Sequence, residues 1–505
     1  MKNILVLFLA IGLVSCGDSV RKKEYKSPDE VYGELFEKSV VALTEFDSKQ
    51  IADAIPKGKP EDIIEKYKID SKEPNFDIAA FFKANFTIPS YSENQIAGKS
   101  IAKYIENYWD SNQRKPHDDG SGLIPTRLPY LVSGGKFEEY EYQSMYFSIC
   151  GLMAAQKDSM AMGLMLNSIQ FIQDFDKVPA GNRSYMLSRS SQPFLSLSLE
   201  KIFKNDPEGL LKYLTNLTKE YQYWMSSENK EEALAQTEAK KTSSAFKKVV
   251  FLENDNILNR YNDSTNRPRP EAYTTDKKWA AANKTTFQDI RASDEANWTF
   301  SNRWRGTSGF TPTQILPVDL NALLYHYETT LAKAYDLKGE PNYANSFKAL
   351  AAKRKEVFNK TFWNEEKGYF FDYDFKTKTQ LNKMTLAGIY PLITGLASTA
   401  QAERVAQNIE KYFLKPGGLS NIADEETGSA GLQMIAIQGL EKYGFKELAG
   451  KIKARWLANN TQYFVKTNKI EEHQLVSNNG TQVDAEIYKN GRKEKAAGVL
   501  MYLLH

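Results

Sequence analysis

The sequence predicts one large all-α domain built of antiparallel helix pairs, and three observations predict this class. Apolar residues recur at helical spacing far more often than in the alternating pattern of strands. The segments with helical spacing end near Gly or Pro, which are common helix stops. No low-complexity linker divides the chain after residue 30, so its 505 residues can bury one extended core.

The clearest helical segment is 317–337, "PVDLNALLYHYETTLAKAYDL". Asp319 stands near its start and is expected to cap the helix, because a carboxylate can accept hydrogen bonds from the first free backbone amides. Segments 401–414 and 431–457 show the same spacing. The apolar face of the first segment is formed by Leu320, Leu323, Leu324, Tyr327 and Leu331.

Loops and short hairpins are expected to complete the helical body. Residues 258–276 and 294–313 are rich in Asn, Arg, Trp and Gly and lie between predicted helices. Polar aromatic loops on a helical scaffold are natural places for a ligand site. The segment "GYFFDYDFKTKTQ", residues 368–380, is typical of a short β-hairpin that decorates the fold.

The charge balance argues against a nucleic-acid partner. The 66 Lys and Arg residues are nearly cancelled by 63 Asp and Glu residues, which leaves a net charge of +3. A chain of this size with so small a charge offers no broad basic surface to phosphates. Aromatic residues make up 12% of the chain; most are expected in the core, and some are available to stack on sugars.

The N-terminus is typical of an exported lipoprotein. Residues 4–14 form an apolar run of signal-peptide length, too short to span a bilayer, and the run ends in "LVSC" at Cys16. We interpret residues 1–16 as a lipoprotein signal peptide with an acylated Cys16, 17–26 as a tether and 27–505 as the folded domain. The protein is then anchored to a membrane in the periplasm or at the cell surface. The alternative is a plain secretory signal with an incidental cysteine.

Several kinds of site are disfavoured by the residues themselves. The four histidines have no metal-ligand spacing to one another or to a cysteine, so we expect no metal. No Gly-x-Gly-x-x-Gly, Walker or Gly-x-Ser-x-Gly motif occurs, which disfavours nucleotide binding and acyl transfer. The one cysteine besides Cys16 is Cys150, within "YFSICGLMAA", where we expect a buried free thiol.

What remains suits carbohydrate chemistry, since carboxylates and arginines stand beside aromatic residues. Charged planar groups bind sugar hydroxyls, and Trp or Tyr rings stack on the sugar C–H face. Glycoside hydrolysis also requires two carboxyl groups, one as acid and one as base or nucleophile. The arginines and tryptophans that favour such a site are Arg267, Arg269, Trp298, Arg303 and Trp304. The candidate carboxyl groups are Glu271, Asp294, Glu295, Asp484 and Glu486.

At these residues the chain resembles the trehalases of glycoside hydrolase family 37, and it is identified as a divergent bacterial lipoprotein member. The resemblance implies an (α/α)6 barrel with short β decorations. It also implies inverting hydrolysis of α,α-trehalose to two glucoses without a metal or cofactor. The matching stretches are 27–36, 46–57, 133–147, 178–193, 258–276, 290–304, 315–325 and 416–420.

The resemblance carries individual site residues onto this chain. The family's Arg-Pro-Glu clamp corresponds to Arg269, Pro270 and Glu271, and its Gly-Gly-Arg-Phe arginine to Lys136, which keeps the charge but loses the guanidinium fork. The family's Arg-Ser-Gln motif corresponds to Arg189 and Ser190, with Ser191 at the glutamine position. The tryptophan before the catalytic acid corresponds to Trp298, and the base glutamate to Glu486.

The acid position is the largest departure from the family, because the family's aspartate is Thr299 here. A threonine hydroxyl does not donate a proton as an acid near neutral pH. If the local chain is helical, Glu295 shares a face with Thr299 and is a possible substitute acid. Asp294 is the second choice.

Other contacts with the sugar are also altered. The family's Trp-Asp pair becomes Gln143 and Ser144, an asparagine becomes Ala180, and a tryptophan-bearing segment after Leu419 is missing. Three readings therefore stay open: a trehalase-like hydrolase, a hydrolase of another glucoside, and a non-catalytic sugar-binding or interaction protein. The last would keep a binding pocket formed by Arg189, Arg269, Glu271, Trp298 and Arg303.

Overall fold

The computed structural model confirms the all-α class. It describes residues 24–92, 96–242, 244–306, 309–477 and 492–505. The α-helices of these ranges are α1 Pro28–Tyr32, α2 Glu34–Ala42, α3 Ser48–Ala52, α4 Pro60–Asp70, α5 Ile78–Asn85, α6 Ile101–Asn112, α7 Tyr142–Ala154, α8 Asp158–Phe175, α9 Leu195–Ile202, α10 Leu214–Trp224, α11 Lys230–Thr242, α12 Tyr273–Asn283, α13 Phe287–Glu295, α14 Val318–Leu337, α15 Pro341–Phe362, α16 Tyr390–Ile393, α17 Thr399–Asn408, α18 Ala430–Lys442, α19 Lys446–Thr467 and α20 Lys493–Leu504.

Short antiparallel strands decorate the helices, as predicted. The predicted hairpin at 368–380 contains β13 and β14, while β12 pairs with β11. The strands are β1 Ile55–Pro56, β2 Phe86–Thr87, β3 Gln113–Arg114, β4 Tyr130–Leu131, β5 Ala245–Phe246, β6 Val249–Phe251, β7 Ile257–Asn259, β8 Arg305–Gly306, β9 Gly309–Phe310, β10 Ile315–Leu316, β11 Trp363–Asn364, β12 Tyr369–Phe370, β13 Tyr373–Asp374, β14 Thr379–Gln380, β15 Leu414–Lys415, β16 Gly418–Leu419, β17 Thr427–Ser429 and β18 His473–Leu475.

Helices that follow one another in the chain pack together, notably α7 with α8, α14 with α15 and α18 with α19. The last helix, α20, packs along α7 and so joins the C-terminal end of the chain to its first third. Gly151 of α7 lies against the backbone of Gly498 of α20, and a Cβ on Gly151 would overlap the Gly498 carbonyl. Two glycines thus allow the backbones of α7 and α20 to pack directly against each other.

The N-terminal helices α2 to α5 form a second apolar cluster beside the main core. This cluster includes Leu35, Phe36 and Phe82 from the N-terminal helices, and it reaches Tyr185 of a 3-10 turn and Tyr273 at the start of α12. The N-terminal segment is thereby packed against the loops that carry the predicted sugar-binding residues. Among the described residues, no helix combines the length and the apolar character needed to cross a membrane.

Asp319 does not cap its helix, which corrects the sequence prediction. The helix begins at Val318, with Pro317 in the cap position, and Asp319 lies in the first turn. Its carboxylate is fully buried and accepts hydrogen bonds of 2.8 and 3.0 Å from the Arg303 guanidinium. The Arg303 guanidinium, 16 positions earlier in the chain, therefore binds the carboxylate that was predicted to cap the helix.

Two further predictions concern the core. The predicted helical segment 431–457 is two helices, α18 and α19, separated at Gly444, whose φ of 85° favours glycine. Cys150 is a free, fully buried thiol, as predicted. Burial raises the pKa of this thiol to about 11, so it stays protonated and unreactive.

Candidate functional site

A polar cavity of about 300 Å³ lies where several loops meet. Both loops singled out in the sequence contribute to it, with residues from 269–275 and 294–301. The N-terminal end of α3 and the chain before α7 complete one side. Arg492, just before α20, and the segment around β18 complete the other. The cavity therefore collects residues from nearly the whole length of the chain.

Most of the predicted site residues that the structure describes line this one cavity. Among the predicted binding residues, Pro270 and Arg303 do not line it. Pro270 is buried and opens the short 3-10 turn that presents Glu271. Asp484 and Glu486 lie outside the described residues. The predicted residues that line the cavity are Lys136, Arg189, Ser190, Arg269, Glu271, Asp294, Trp298 and Thr299.

Asp294 is clamped between two arginines. Its Oδ2 accepts a hydrogen bond of 2.7 Å from Arg189 Nε, and its Oδ1 accepts a short hydrogen bond from Arg269 Nη1. Burial raises the pKa of Asp294, but the two adjacent guanidiniums outweigh this effect and hold the pKa well below its usual range. Asp294 is therefore a permanent carboxylate at neutral pH, which does not favour it as a substitute acid.

Thr299 also donates to this carboxylate. The Thr299 hydroxyl lies 3.0 Å from Asp294 Oδ1. Asn297, two positions before Thr299, has a φ of 60°, and Phe300, directly after it, has a φ of 57°. The loop thus has left-handed backbone conformations on both sides of Thr299. The hydroxyl proton is thus directed at a protein anion.

The two arginines are held by further carboxylates. Arg269 Nε and Nη2 donate to the two oxygens of buried Asp276, at 3.0 and 2.7 Å. Arg189 Nη2 donates a short hydrogen bond to Oε1 of Glu271. The other oxygen of Glu271, Oε2, is buried and has no hydrogen-bond partner within the described part of the chain. These contacts fix both guanidiniums in the cavity wall.

Glu295 lies behind the cavity and does not line it. Lys248 Nζ approaches its two carboxylate oxygens at 2.6 and 2.7 Å, and the backbone amides of Ser190 and Asn262 donate at 2.9 and 3.0 Å. Helix α13 ends at Glu295, so Thr299 does not share a helical face with it. The prediction of Glu295 as a substitute acid depended on that shared face. The geometry makes Glu295 a support for the loops around the cavity.

Trp298 lines the cavity, and Arg303 supports it from behind. The Arg303 guanidinium lies 4.8 Å from the centre of a Trp298 ring. Arg303 is itself saturated by Asp319 and by Asp372, which accepts at 2.7 and 2.8 Å. Arg303 therefore does not face a ligand, although the non-catalytic reading placed it in the binding pocket. It orients the indole that faces the cavity.

Lys136 projects from a tight turn in which Gly134 and Gly135 have φ of 78° and 63°. Lys136 Nζ donates at 2.7 Å to Oδ2 of Asp47, the residue that caps α3. Asp47 lines the cavity as well. This ion pair joins the N-terminal helices to the cavity rim.

Glu141 and Arg492 line the cavity and were not predicted from the sequence. Arg492 Nε donates at 2.6 Å to Oε1 of Glu141, and its guanidinium lies 4.0 Å from the centre of the Phe137 ring. Burial raises the pKa of Glu141 to about 7; Arg492 opposes this effect, and the neighbouring carboxylate of Glu139 adds to it. The signal for Glu141 was an acidic residue within the aromatic stretch "YEYQSMYF".

Glu472 and His473 also line the cavity and were missed. Glu472 accepts from Lys495 Nζ at 2.6 Å and from the Arg492 amide at 2.7 Å. Burial raises its pKa, but Lys495 and His473 lower it to about 2 overall. Glu472 and His473, before segment 478–491, and Arg492, after it, thus line the cavity. Within the described residues, no group of three or more His, Cys, Asp or Glu could hold a metal ion.

This arrangement can bind a neutral polar ligand of sugar size. It offers guanidinium donors, carboxylate acceptors and an indole face, which together match hydroxyls and the C–H face of a sugar ring. Cations and anions alternate around the cavity, so it has no strong preference for a charged ligand. The carboxyl groups also provide acid and base chemistry.

Comparisons with known proteins agree with this geometry. A family model described as trehalase matches residues 18–495. A periplasmic trehalase of Escherichia coli O1:K1 is 32% identical over 496 residues, which covers 94% of this chain and 86% of the relative. A periplasmic trehalase of Citrobacter koseri is 33% identical over 476 residues, with 90% and 82% covered.

Solved structures show the same architecture. Neutral trehalase from Saccharomyces cerevisiae has a TM-score of 0.59 at 23% identity, with 81% of this chain and 80% of that chain covered. A GH63 mannosylglycerate hydrolase from Thermus thermophilus has a TM-score of 0.51 at 14% identity, with 80% and 100% covered. The similarity to the yeast structure confirms the expected (α/α)6 fold.

Proposed function

Because the chain belongs to the trehalase family and is a trehalase-like glycosidase, we propose that its cavity binds and hydrolyses α,α-trehalose or a related glucoside. The observation that carries this proposal is that Arg189, Arg269, Glu271 and Trp298 line one polar cavity. These groups come from three separated stretches of the chain. Their convergence supports a common ligand with hydroxyl groups on several sides.

Each group has a part in holding the sugar. Arg189 and Arg269 keep N–H donors in fixed positions because carboxylates hold their other faces. Glu271 lines the cavity and holds the Arg189 guanidinium through Oε1. Trp298 offers its ring to a C–H face of the glucose unit, with Arg303 fixing the ring from behind.

The proposed reaction is an inversion at the anomeric carbon. In this chemistry a base carboxylate activates water on one face of the sugar, and an acid protonates the leaving oxygen on the other. We propose Glu486 as the base. Its segment lies outside the described residues, but Glu472 and Arg492, which flank that segment, both line the cavity and support the assignment.

A non-catalytic sugar-binding protein is the second candidate, and one observation favours it. The Thr299 hydroxyl, which the resemblance assigns to the family's acid position, donates to Asp294, which also engages Arg189 and Arg269. In this reading Asp294 occupies arginine N–H groups that could otherwise bind the substrate, and position 299 has no acid to protonate the leaving oxygen. The protein would then bind a glucoside and release it unchanged.

Glucose release from α,α-trehalose tests the first candidate. We expect turnover by the purified chain and loss of about 10² to 10⁴ in rate for Glu486→Gln, which removes the base. Asp484→Asn, in the same segment, is the matched control and is expected to keep the activity. Calorimetric binding of trehalose without glucose release would instead support the second candidate. If the chain neither hydrolyses nor binds any glucoside, both candidates are contradicted.

We also propose that the protein is exported and anchored by a lipid on Cys16. The curated relatives are named periplasmic trehalases, which supports export, and the "LVSC" ending of the apolar run supports acylation. Cys16 lies outside the described residues. Incorporation of a tagged fatty acid in a bacterial host, and its loss in Cys16→Ser, tests the anchor. Equal labelling of both chains would exclude Cys16 as the acylated residue.

A further inference from the structure

Glu141 is a carboxyl group of the cavity for which the proposed function has no role. It stands directly before α7, lines the cavity and is only 2% exposed. Its backbone forms an antiparallel bridge with Gly181, and the Tyr142 amide donates to the Ala180 carbonyl at 3.0 Å. The side chain is therefore placed in the cavity wall by fixed backbone and not by a free loop.

The two oxygens of Glu141 have different surroundings. Oε1 accepts from Arg492 Nε at 2.6 Å and from Gln143 Nε2 at 3.4 Å. Oε2 is buried and accepts no hydrogen bond from the described residues. A buried carboxylate oxygen without a donor is costly, whereas a neutral carboxyl can keep its proton on that oxygen. The geometry thus favours a protonated Oε2 while Oε1 stays bonded to the arginine.

Other carboxyl groups of the cavity are occupied differently. Asp294 is held by two arginines and Thr299, and Glu472 by Lys495 and the Arg492 amide. Asp47 accepts from Lys136 and from the Gln50 amide, and Glu425 accepts from Asn302. Only Glu141 and Glu271, among the described lining carboxyl groups, keep a buried oxygen without a hydrogen-bond partner.

We propose that Glu141 is the proton donor to the leaving oxygen, the part that Thr299 cannot take. This inference rests on the proposed hydrolysis. The carboxyl proton of Glu141 passes to the glycosidic oxygen as the C1–O bond breaks, and the bonding electrons stay on that oxygen. A water oxygen bonds to C1 from the opposite face and gives its proton to the base. Two sugar hydroxyls result, and Glu141 recovers its proton from solvent.

The electrostatic surroundings of Glu141 agree with this role. Burial favours the neutral acid, and the Glu139 carboxylate two residues before it acts in the same direction. Arg492 and Lys49 oppose them by favouring the carboxylate. An acid whose protonated form survives near neutral pH is suited to general acid catalysis. The charged groups that face Glu141 are Arg492, Glu139, Lys49 and Glu494.

A pair of substrates with different leaving groups tests the proposal in the full chain. Cleavage of α,α-trehalose requires protonation of a sugar oxygen, whereas fluoride leaves α-D-glucosyl fluoride without that help. We expect Glu141→Gln to lower kcat on trehalose by about 10² to 10⁴ and to change kcat on the fluoride by less than about 10-fold. A purely structural role for Glu141 would lower both rates together.

Glu271→Gln is the matched control, since Glu271 also pairs with an arginine and also has a free buried oxygen. As a binding residue it should affect both substrates in parallel, chiefly through KM. A loss restricted to trehalose in Glu271→Gln, with parallel losses in Glu141→Gln, would overturn the assignment. A wild-type chain that hydrolyses neither substrate would overturn the proposed function itself and, with it, the role of Glu141.

The wild-type pH profile provides a test that needs no variant. The donor is the neutral form of Glu141, which is present below its pKa and lost above it. We expect kcat on trehalose to fall as the pH rises through about 7, while kcat on glucosyl fluoride shows no such fall. The same high-pH fall for both substrates, or for neither, would contradict the proposal.

Discussion

The Thr299 hydroxyl lies 3.0 Å from Oδ1 of Asp294 and donates a hydrogen bond to it. Two arginines hold the same carboxylate, so Asp294 stays ionised and Thr299 has its proton directed at a protein group. Thr299, which the resemblance assigns to the family's acid position, therefore makes a structural hydrogen bond in this chain. The effects of having threonine and not an acid at this position can be measured with variants of Thr299 and of its neighbours.

Thr299→Val removes the hydroxyl and keeps the shape of the side chain. We expect kcat/KM on trehalose to change by less than about 10-fold, because general acid catalysis, worth about 10² to 10⁴, does not depend on this residue. Loss of one hydrogen bond to a charged group should lower the free energy of unfolding by about 1 to 3 kcal/mol. Urea unfolding and glucose release check the two effects. A drop of 100-fold or more in a folded Thr299→Val chain would make Thr299 part of the catalytic machinery.

Glu295 and Lys248 form a buried ion pair behind the cavity, at 2.6 Å. Glu295→Gln should lower the free energy of unfolding by about 3 to 5 kcal/mol, because it leaves the Lys248 ammonium without its carboxylate. Adding Lys248→Met should recover most of this loss, since Lys248 lies 4.7 Å from the centre of a Trp224 ring, where an apolar chain fits. Urea unfolding of the two single variants and the double variant measures the coupling.

The same variants decide whether Glu295 is a substitute acid. We expect the folded double variant to hydrolyse trehalose at close to the wild-type rate. A double variant that is as stable as the wild type but has lost turnover would assign the acid to Glu295 instead.

Glu220 predicts a pH dependence of stability. It is fully buried and accepts from Tyr142 at 2.8 Å and from Tyr327 at 2.5 Å. Burial raises its pKa to about 7, above its value in the unfolded chain. The neutral Glu220 carboxyl therefore contributes its full stabilisation of the fold at pH values below the unfolded pKa, about 4.3. This contribution is lost as the pH rises through about 7.

Glu220→Gln should remove this dependence because glutamine does not ionise. Relative to the wild type, we expect the variant to gain roughly 2 to 3 kcal/mol between about pH 5 and about pH 9. Thermal or urea unfolding of both chains across that range measures the difference, from which the shared contributions of Glu141 and Glu494 cancel. A difference that does not change with pH would show that Glu220 has an ordinary pKa.

Local patterns predicted the parts of the structure that depend on neighbours in the chain. The spacing of Leu320, Leu324 and Leu331 placed helix α14, because helix periodicity is a local property. Motifs predicted that Arg189, Arg269 and Trp298 share one cavity. Asp319 was misread as a cap because its partner, Arg303, lies on a loop whose approach no local pattern encodes.

The missed parts of the site all depend on distant contacts. Glu141 and Arg492 are separated by 351 positions and meet only because α20 returns to α7. Glu295 looked available because its partner Lys248 is contributed by the β5 to β6 hairpin. In both cases the spacing of residues along the chain does not predict which arginine or lysine pairs with the glutamate.

The stereochemistry of trehalose hydrolysis tests the central claim most directly. Proton NMR of the products, recorded before the anomers interconvert, reports which anomers are released. Inversion at the attacked carbon yields one β-glucose, and the leaving glucose keeps its α configuration, so the proposed mechanism predicts equal amounts of both anomers at the earliest times. Release of α-glucose alone, or no release of glucose from trehalose, would contradict it.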